Sequence, residues 1–279
     1  MTTWFITGCS TGFGRALASA VLDRGDQAVI TARNVTALDE LAARHPSTAL
    51  ALPLDVGDHE QVVAAVAAAE ERFGGIDVLV NNAGHGYRAA VEEGEEEAIR
   101  ELFETNFFGL VDVTKQVLPG MRARRSGTIV NLSSIAGRAA PLGSGYYAAS
   151  KYAVEGLSGS LRLELEPLGI HVVVVEPGGF RTDFAGRSLG QSVEPIADYA
   201  ATAGTRRKEN LDEDGRQPGD PTKFSQAVID IVAEPNPPFR LLLGSDAYAR
   251  TRDELASQQA EFDAWAHVTL STDFDEQPA

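Results

Sequence analysis

Short β-rich apolar runs alternate along this chain with longer segments of helical pattern. The runs are Trp4 to Ile6, Ala28 to Thr31, Ala49 to Leu54, Ile76 to Val80, Thr128 to Leu132, Ile170 to Val175 and Arg240 to Leu243. Between them, helix formers fill Arg15 to Leu22, Thr36 to Arg44, His59 to Phe73, Glu95 to Leu118, Tyr146 to Glu166 and Thr222 to Val232. This alternation predicts an α/β fold with a parallel sheet. Val172 to Val175 are apolar on consecutive rather than alternate positions, as a strand covered on both faces requires, so that run belongs at the sheet centre.

Punctuation supports the same division. Gly25, Gly74-Gly75, Gly127 and Gly169 follow helical stretches, where a left-handed cap suits glycine. Asp220-Pro221 reads as an N-cap with proline at the first helical position. No repeat or low-complexity linker divides the chain, so one domain is expected over 1–270. Residues 182–219 are expected to form a lid over the substrate, and 271–279 a disordered tail.

Composition excludes several functions. The 279 residues carry 24 Lys and Arg against 40 Asp and Glu, a net charge of −16. Nucleic-acid affinity rests on cations that displace phosphate counterions, so no nucleic-acid partner is expected. No run of about 18 apolar residues is present, so no membrane span is expected. The N-terminal residues lack the charged and apolar regions of a signal peptide. Cys9 is the only cysteine, which rules out an intrachain disulfide and fits a reducing, cytoplasmic location. Five scattered histidines have no metal-ligand spacing, and no metal site is expected.

The first apolar run leads into Thr7-Gly8-Cys9-Ser10-Thr11-Gly12-Phe13-Gly14, and a helical pattern follows. Glycines there permit a tight turn and let the backbone approach a pyrophosphate, which the next helix N-terminus stabilises. The same glycines would also serve an ordinary turn. At the end of the second run stand Ala32 and Arg33, where an NAD enzyme would offer a carboxylate to the ribose hydroxyls. A guanidinium suits a 2′-phosphate, so NADP(H) is expected over NAD(H), although a strand-end arginine can be merely solvated.

Asp55-Val56 follows the third run and Asn81-Asn82-Ala83-Gly84 the fourth, so these loops should converge on the crevice of the glycine loop. Asp55 would either accept from the adenine amine or cap the helix starting near Asp58.

Tyr147 and Lys151 stand four residues apart at a helix start, which puts phenol and ammonium on one face. An adjacent cation favours the phenolate, making Tyr147 a candidate general acid for carbonyl reduction and base for alcohol oxidation. Alone, such a pair is equally a surface contact. Ser133 and Ser134 end the fifth run and bring hydroxyls to the same rim, either to bond a substrate oxygen or to cap a turn.

The Thr7–Gly14 loop, Asn81 to Gly84, Asn106, Ser133-Ser134, Tyr147 to Lys151 and Pro177-Gly178 together resemble the compact branch of the short-chain dehydrogenase/reductase family. The overall look is similar to hydroxysteroid and retinol dehydrogenase-like members. The resemblance covers residues 3 to 182. It implies a single Rossmann-type, doubly wound parallel sheet flanked by helices on both faces, and an enzyme moving a hydride between a nicotinamide and a carbonyl or secondary alcohol.

By that resemblance Tyr147 is the proton donor and acceptor, and Lys151 holds the nicotinamide ribose. Ser134 rather than Ser133 polarises the substrate, and Asn106 holds a water in the proton relay. Gly8, Ser10, Thr11, Gly12, Phe13, Gly14, Arg33, Asp55, Val56, Asn82, Ala83 and Gly84 take the dinucleotide. Pro177, Gly178 and Thr182 join Tyr147 and Lys151 around the nicotinamide. Phe13 departs from the usual aliphatic residue, and Cys9 from the usual alanine.

Phe184, Leu189, Ile196 and Tyr199 in the expected lid suggest a small apolar carbonyl or alcohol substrate. His85-Gly86-Tyr87 is expected to line the substrate side, with His85 in a packing role, and Glu92 to Glu97 to be a solvated helix start without function. A homodimer or homotetramer is expected through the helices from Glu95 and from Tyr146. A non-catalytic NADP(H) sensor is the alternative, although it has no need of Asn106, Ser134, Tyr147 and Lys151 together. An epimerase or dehydratase of the extended branch would need different glycine spacing and a longer C-terminal region.

Overall fold

The computed structural model describes residues 1–184, 186, 188–213 and 215–274. The first half of the chain runs β1 (Thr3–Ile6), α1 (Gly12–Asp23), β2 (Gln27–Ala32), α2 (Asp39–Arg44), β3 (Ala49–Pro53), α3 (His59–Phe73), β4 (Val78–Asn81) and β5 (Gly86–Arg88). It continues through α4 (Glu96–Phe103), α5 (Leu110–Arg124), β6 (Gly127–Leu132), α6 (Gly145–Leu165) and β7 (Ile170–Pro177). The last third holds β8 (Leu189–Gln191), α7 (Ala203–Glu213), α8 (Pro221–Ala233), β9 (Arg240–Leu243) and α9 (Ser245–Leu270).

Seven strands form one parallel sheet in the order β3-β2-β1-β4-β6-β7-β9. The strand order reverses beside β1, where the chain crosses from one half of the sheet to the other. That reversal opens a crevice at the carboxyl ends of the strands.

Alternate strand residues serve two cores. Ile6, Ile30, Val80, Val130 and Val173 pack under α1 and α8 with Leu17, Val21, Phe224 and Val228. Phe5, Val29, Leu79, Ile129 and Val172 pack on the other face under α3, α5 and α6 with Val66, Val113, Val117 and Leu161. The sheet is thus Rossmann-type and doubly wound, with apolar layers on both faces.

Several boundaries differ from the sequence expectation. The segment expected as one helix from Glu95 to Leu118 is divided by a π-helical stretch, Glu104–Gly109, and α5 runs on through Pro119 to Arg124. Burial of Val117 and Met121 on either side of Pro119 holds that turn helical despite the missing N–H. The left-handed cap of α5 falls on Arg125, at φ 51°, rather than on Gly127.

The two-stranded parallel sheet of β5 and β8 was not expected, nor were α7 and the 26-residue α9. Helix α9 buries only Ala247 and Thr251 and leaves Phe262 and Trp265 exposed, so its pattern carries no continuous core stripe. Of the expected tail 271–279, residues 275–279 lie outside the described residues. Among the described residues no helix is long and apolar enough to cross a membrane, and no cluster of His, Cys, Asp or Glu is placed to hold a metal ion.

Candidate active site

The carboxyl ends of β1, β2, β4, β6 and β7 open into one cavity of about 1160 Å³. At one end lies the loop from Thr7 to Gly14. Thr7 Oγ1 accepts from the N–H groups of Asn82, at 3.0 Å, and Ala83, at 2.9 Å. Asn82 Nδ2 donates back to the carbonyls of Thr7 and Gly8, at 2.8 and 3.0 Å, so the turn after β4 braces the loop after β1. Gly8 has φ +72°, and a Cβ there would lie 2.9 Å from Ala83 Cα. Only glycine meets both the dihedral and the close approach.

Thr11 precedes α1 without capping it through its side chain, and no acidic residue stands in the first turn. The helix N–H groups and the positive end of its dipole therefore stay available to an anion. Gly8, Ser10, Thr11, Gly12 and Phe13 line the cavity there. Gly14 does not. A Cβ on it would lie 2.4 Å from the Gly8 carbonyl and from Asn82 Nδ2, so its lack of a side chain serves packing beneath the loop.

Phe13 stacks on Phe224 with ring centroids 3.8 Å apart and meets Phe180 edge-on at 5.1 Å, which accounts for an aromatic ring at this position. Cys9 is fully buried, and burial raises its thiol pKa to about 12; it is a packing residue.

Arg33 lines the cavity just past β2, exposed, with no hydrogen bond or ion pair to the described residues. Asp55 and Val56 line the next stretch. Asp55 Oδ1 accepts from Gly57 N at 3.0 Å, whereas the cap of α3 is supplied by Asp58 through Glu60 N and Gln61 N. Asn82, Ala83 and Gly84 follow, then Pro177, Gly178 and Thr182 from the end of β7. A Cβ on Gly178 would lie 2.3 Å from Asp246 Oδ1, so backbone alone passes there. The cavity therefore has an open helix N-terminus and, near it, a guanidinium without a partner among the described residues, a donor set that suits an anionic ligand.

The first two turns of α6 present Tyr147 and Lys151 to the same cavity, and β6 delivers Ser134 opposite. Tyr147 is buried, which raises its pKa. Hydrogen bonding with Ser134 and the positive charge of Arg88 act in the opposite direction. Lys151 Nζ donates to the Leu132 carbonyl at 2.7 Å and lies 5.8 Å from the centre of the Tyr147 ring. Burial lowers its pKa to about 8, and Glu155 opposes that shift. Ser133 lines the cavity too, but the phenol interacts with Ser134.

Asn106 lies behind this wall, fully buried in the π-helical stretch. Its Oδ1 accepts from His85 N at 2.9 Å, and its Nδ2 donates to the His85 carbonyl at 2.9 Å and to Ser150 Oγ at 3.2 Å. Both amide donors are thereby committed. The side chain clamps the His85 peptide to the helix of Tyr147.

The expected lid residues divide. Phe184 stands 5.6 Å from Tyr147 between ring centres, but Leu189, Ile196 and Tyr199 do not line the cavity, whereas Arg88, Gln191 and Arg206 do. The acidic run is a solvated helix start at Glu96 and Glu97, exposed in the first turn of α4, but not at Glu93 and Glu95. Glu93 is buried and accepts from Ala90 N, Ile196 N and the Arg207 guanidinium. Glu95 is bonded to the Tyr87 hydroxyl and to Val193 N. These contacts fasten the 189–207 segment over the cavity. Glutamate spacing held no sign of them, because they depend on a chain returning about a hundred residues later. Arg88, between Tyr87 and two alanines, was the one unusual cation in an apolar run.

A family model described as short chain dehydrogenase matches residues 2–191. The chain is 38% identical over 273 residues to the oxidoreductase BOA17 of Botryotinia fuckeliana, covering 96% of this chain and 98% of that protein. A short-chain dehydrogenase crystal structure from Streptomyces avermitilis superposes with a TM-score of 0.92 at 40% identity, covering 98% of this chain and 100% of the other. An alcohol dehydrogenase from the archaeon Thermococcus sibiricus, solved in complex with 5-hydroxy-NADP, gives a TM-score of 0.72 at 26% identity, over 87% of this chain and 96% of the other.

Proposed function

Because the chain belongs to the short-chain dehydrogenase family, we propose that it is an NADP(H)-dependent oxidoreductase acting on a carbonyl or secondary alcohol, with Tyr147 as general acid and base. One observation carries the reading. Tyr147, Ser134 and Lys151 share the wall of a cavity whose far end is an open helix N-terminus. Arg33, exposed and without a partner among the described residues, supports NADP(H), and the Thermococcus enzyme bound to an NADP derivative is consistent with it.

In this reading the backbone N–H groups from Gly8 to Phe13 hold the pyrophosphate and Arg33 holds the 2′-phosphate. Asp55 and Val56 flank the adenine. Asn82, Ala83, Gly84, Pro177, Gly178 and Thr182 flank the nicotinamide half, and Lys151 holds its ribose. When bound, the nicotinamide would supply hydride to a carbonyl carbon, or accept it from the carbinol carbon of an alcohol.

Tyr147 gives its phenol proton to the carbonyl oxygen during reduction and takes it back during oxidation. Ser134 donates a hydrogen bond to the same oxygen as negative charge develops. The Lys151 ammonium offsets the desolvation that otherwise holds the phenol proton too tightly. Asn106 acts through His85 and Ser150 as a positioning residue. A homodimer or homotetramer built on α5 and α6 accompanies this reading and is read out as a mass in solution.

The test is turnover of aldehydes, ketones, steroids and quinones with NADPH and NADH by the wild type and Tyr147→Phe. Turnover that Tyr147→Phe abolishes, with NADPH binding retained, is the expected result. Tight NADPH binding without turnover of any compound would instead identify a sensor.

A further inference from the structure

Among the described residues, Arg207, Arg138 and the more exposed Arg240 face carboxylates. Arg207 pairs with Glu93 at 2.6 Å, Arg138 with Glu176 at 3.9 Å, and Arg240 with Glu155 and Glu176 at 3.2 and 3.5 Å. Arg88 does not. It ends β5, is only 7% exposed, and lines the cavity that contains Tyr147. Pairing of β5 with β8 fixes its backbone, through Ser192 N to the Arg88 carbonyl at 3.0 Å.

The guanidinium carbon lies 6.0 Å from the centre of the Tyr147 ring. Nη1 donates to Ser144 Oγ at 2.6 Å, and Ser144 directly precedes the helix of Tyr147. Nε is buried without a partner, and Nη2 makes no hydrogen bond to the described residues. Among the described residues, the groups whose electrostatics act on Arg88 are Arg206, also at the cavity wall, and Tyr147, and no carboxylate is among them. Burial and Arg206 lower its pKa only to about 10, so it is a cation at neutral pH.

A buried charge without a counter-ion is costly, and the cost is relieved when an anion arrives. Nη2 is the unspent donor that an entering carboxylate meets first, with Nε beside it on the same edge of the guanidinium fork but shielded from solvent. A residue present only to hold Ser144 would need one donor and no charge.

We propose that the substrate bears a carboxylate besides its reacting carbonyl or hydroxyl group, and that Arg88 binds this carboxylate while the reacting oxygen meets Tyr147 and Ser134. The inference rests on the oxidoreductase reading and narrows it to oxo acids and hydroxy acids. Phe184 faces the intervening carbon chain. The carboxylate is unchanged in the reaction: the carbonyl carbon gains the hydride, its oxygen gains the Tyr147 proton, and NADPH leaves as NADP⁺.

Two measurements on the full chain test it. In the first, 4-oxopentanoate and 4-oxo-4-phenylbutanoate are compared with their methyl esters as substrates with NADPH. The acids should be favoured by about 10- to 100-fold in kcat/KM, mostly through KM. In the second, calorimetry of the NADP⁺-saturated protein compares unreactive 3-phenylpropanoate with 3-phenylpropanamide, and only the acid should bind.

Arg88→Gln should bring both ratios toward one, and Arg88→Lys, which keeps the charge but loses the fork, should lie between. The wild-type comparisons stand even if a variant fails to fold. Equal handling of acid and neutral analogue by the wild type, in turnover or in binding, overturns the proposal, as does a preference that survives in both folded variants. Arg88-dependent binding of the acid with no turnover of any carbonyl would support the anion site and sink the oxidoreductase reading instead.

Discussion

The Arg207 guanidinium meets both oxygens of Glu93, Nη1 at 2.6 Å and Nη2 at 3.2 Å, with the Glu93 side chain fully shielded from water. Glu93 also accepts from Ile196 N at 2.8 Å, so one carboxylate fastens two points of the segment that follows β8. Removing one partner of a shielded pair leaves the other charge uncompensated. Glu93→Gln should therefore cost about 3 kcal/mol in denaturant unfolding and raise the substrate KM more than it lowers kcat. These contacts hold the Glu93 pKa down from 4.5 to about 2. A depressed carboxylate stabilises the folded state above its ordinary pKa, so the contribution should fade as pH falls from about 4.5 toward about 2, and Glu93→Gln should lose that acid-side dependence. A flat difference between wild type and variant across that range would contradict the assignment.

Asn106 has both amide donors engaged, and its oxygen holds His85 N. Asn106→Ala leaves the buried polar groups of His85 and Ser150 unpaired and should cost about 2 kcal/mol. Since Ser150 Oγ in turn donates to the Tyr147 carbonyl at 2.8 Å, the loss should reach the phenol. A kcat lowered by about 10- to 100-fold, with the NADPH KM little changed and the pH profile of kcat displaced, is expected. Unaltered kcat in the folded variant would reduce Asn106 to a packing role.

The alternation of strands and helices was legible because it depends on local signals: glycine turns, helix caps and consecutive apolar runs such as Val172 to Val175, although that run, in β7, lies beside the edge strand β9 rather than at the sheet centre, its two apolar faces reflecting cover by helices on both sides. The pairing of Tyr147 with Lys151 was legible for the same reason, being one helical turn. What escaped depends on contacts between distant segments. Strand β5 has three residues and is a strand only because β8 lies beside it, about a hundred residues later. Glu93 looks like any glutamate in an acidic run until Arg207 reaches it. The π-helical stretch at Asn106 has no composition signal, and α9 lacks the core-facing stripe by which helices are read from sequence. Local chemistry thus pointed to the glycine loop and to Tyr147, both of which line the cavity, whereas the part of its wall around Arg88 is made by long-range closure.

At the other end of the groove, Arg33 is exposed and makes no hydrogen bond or ion pair to the described residues. A guanidinium in that position gains most when a dianionic phosphate is present and little when a neutral hydroxyl replaces it. Arg33→Ala should lower the ratio of kcat/KM for NADPH over NADH by about 10- to 100-fold. Added salt should shrink the wild-type ratio as well, because the pair would lie in reach of solvent ions. A ratio unmoved by the substitution would place the 2′-phosphate elsewhere.

Lys151 ties activity to a cost in stability. Its ammonium is buried with one hydrogen bond, to Leu132, and burial lowers its pKa from 10.5 to about 8. At pH 7 both folded and unfolded chains hold this proton, so the folded state bears the full desolvation penalty. Between about 8 and 10.5 the unfolded chain holds more protons than the folded one, and stability contributed by this group rises with pH. Lys151→Met fills the same space without the charge. It should therefore be more stable than wild type by about 1–2 kcal/mol at pH 7, after allowance for the lost hydrogen bond. That advantage should shrink as pH passes 8 and vanish near 10, while turnover is lost at every pH. Thermal unfolding of the cofactor-free proteins across this range measures it. A variant less stable at pH 7, or a gain that grows with pH, would mean the ammonium is held by stronger partners than the Leu132 carbonyl.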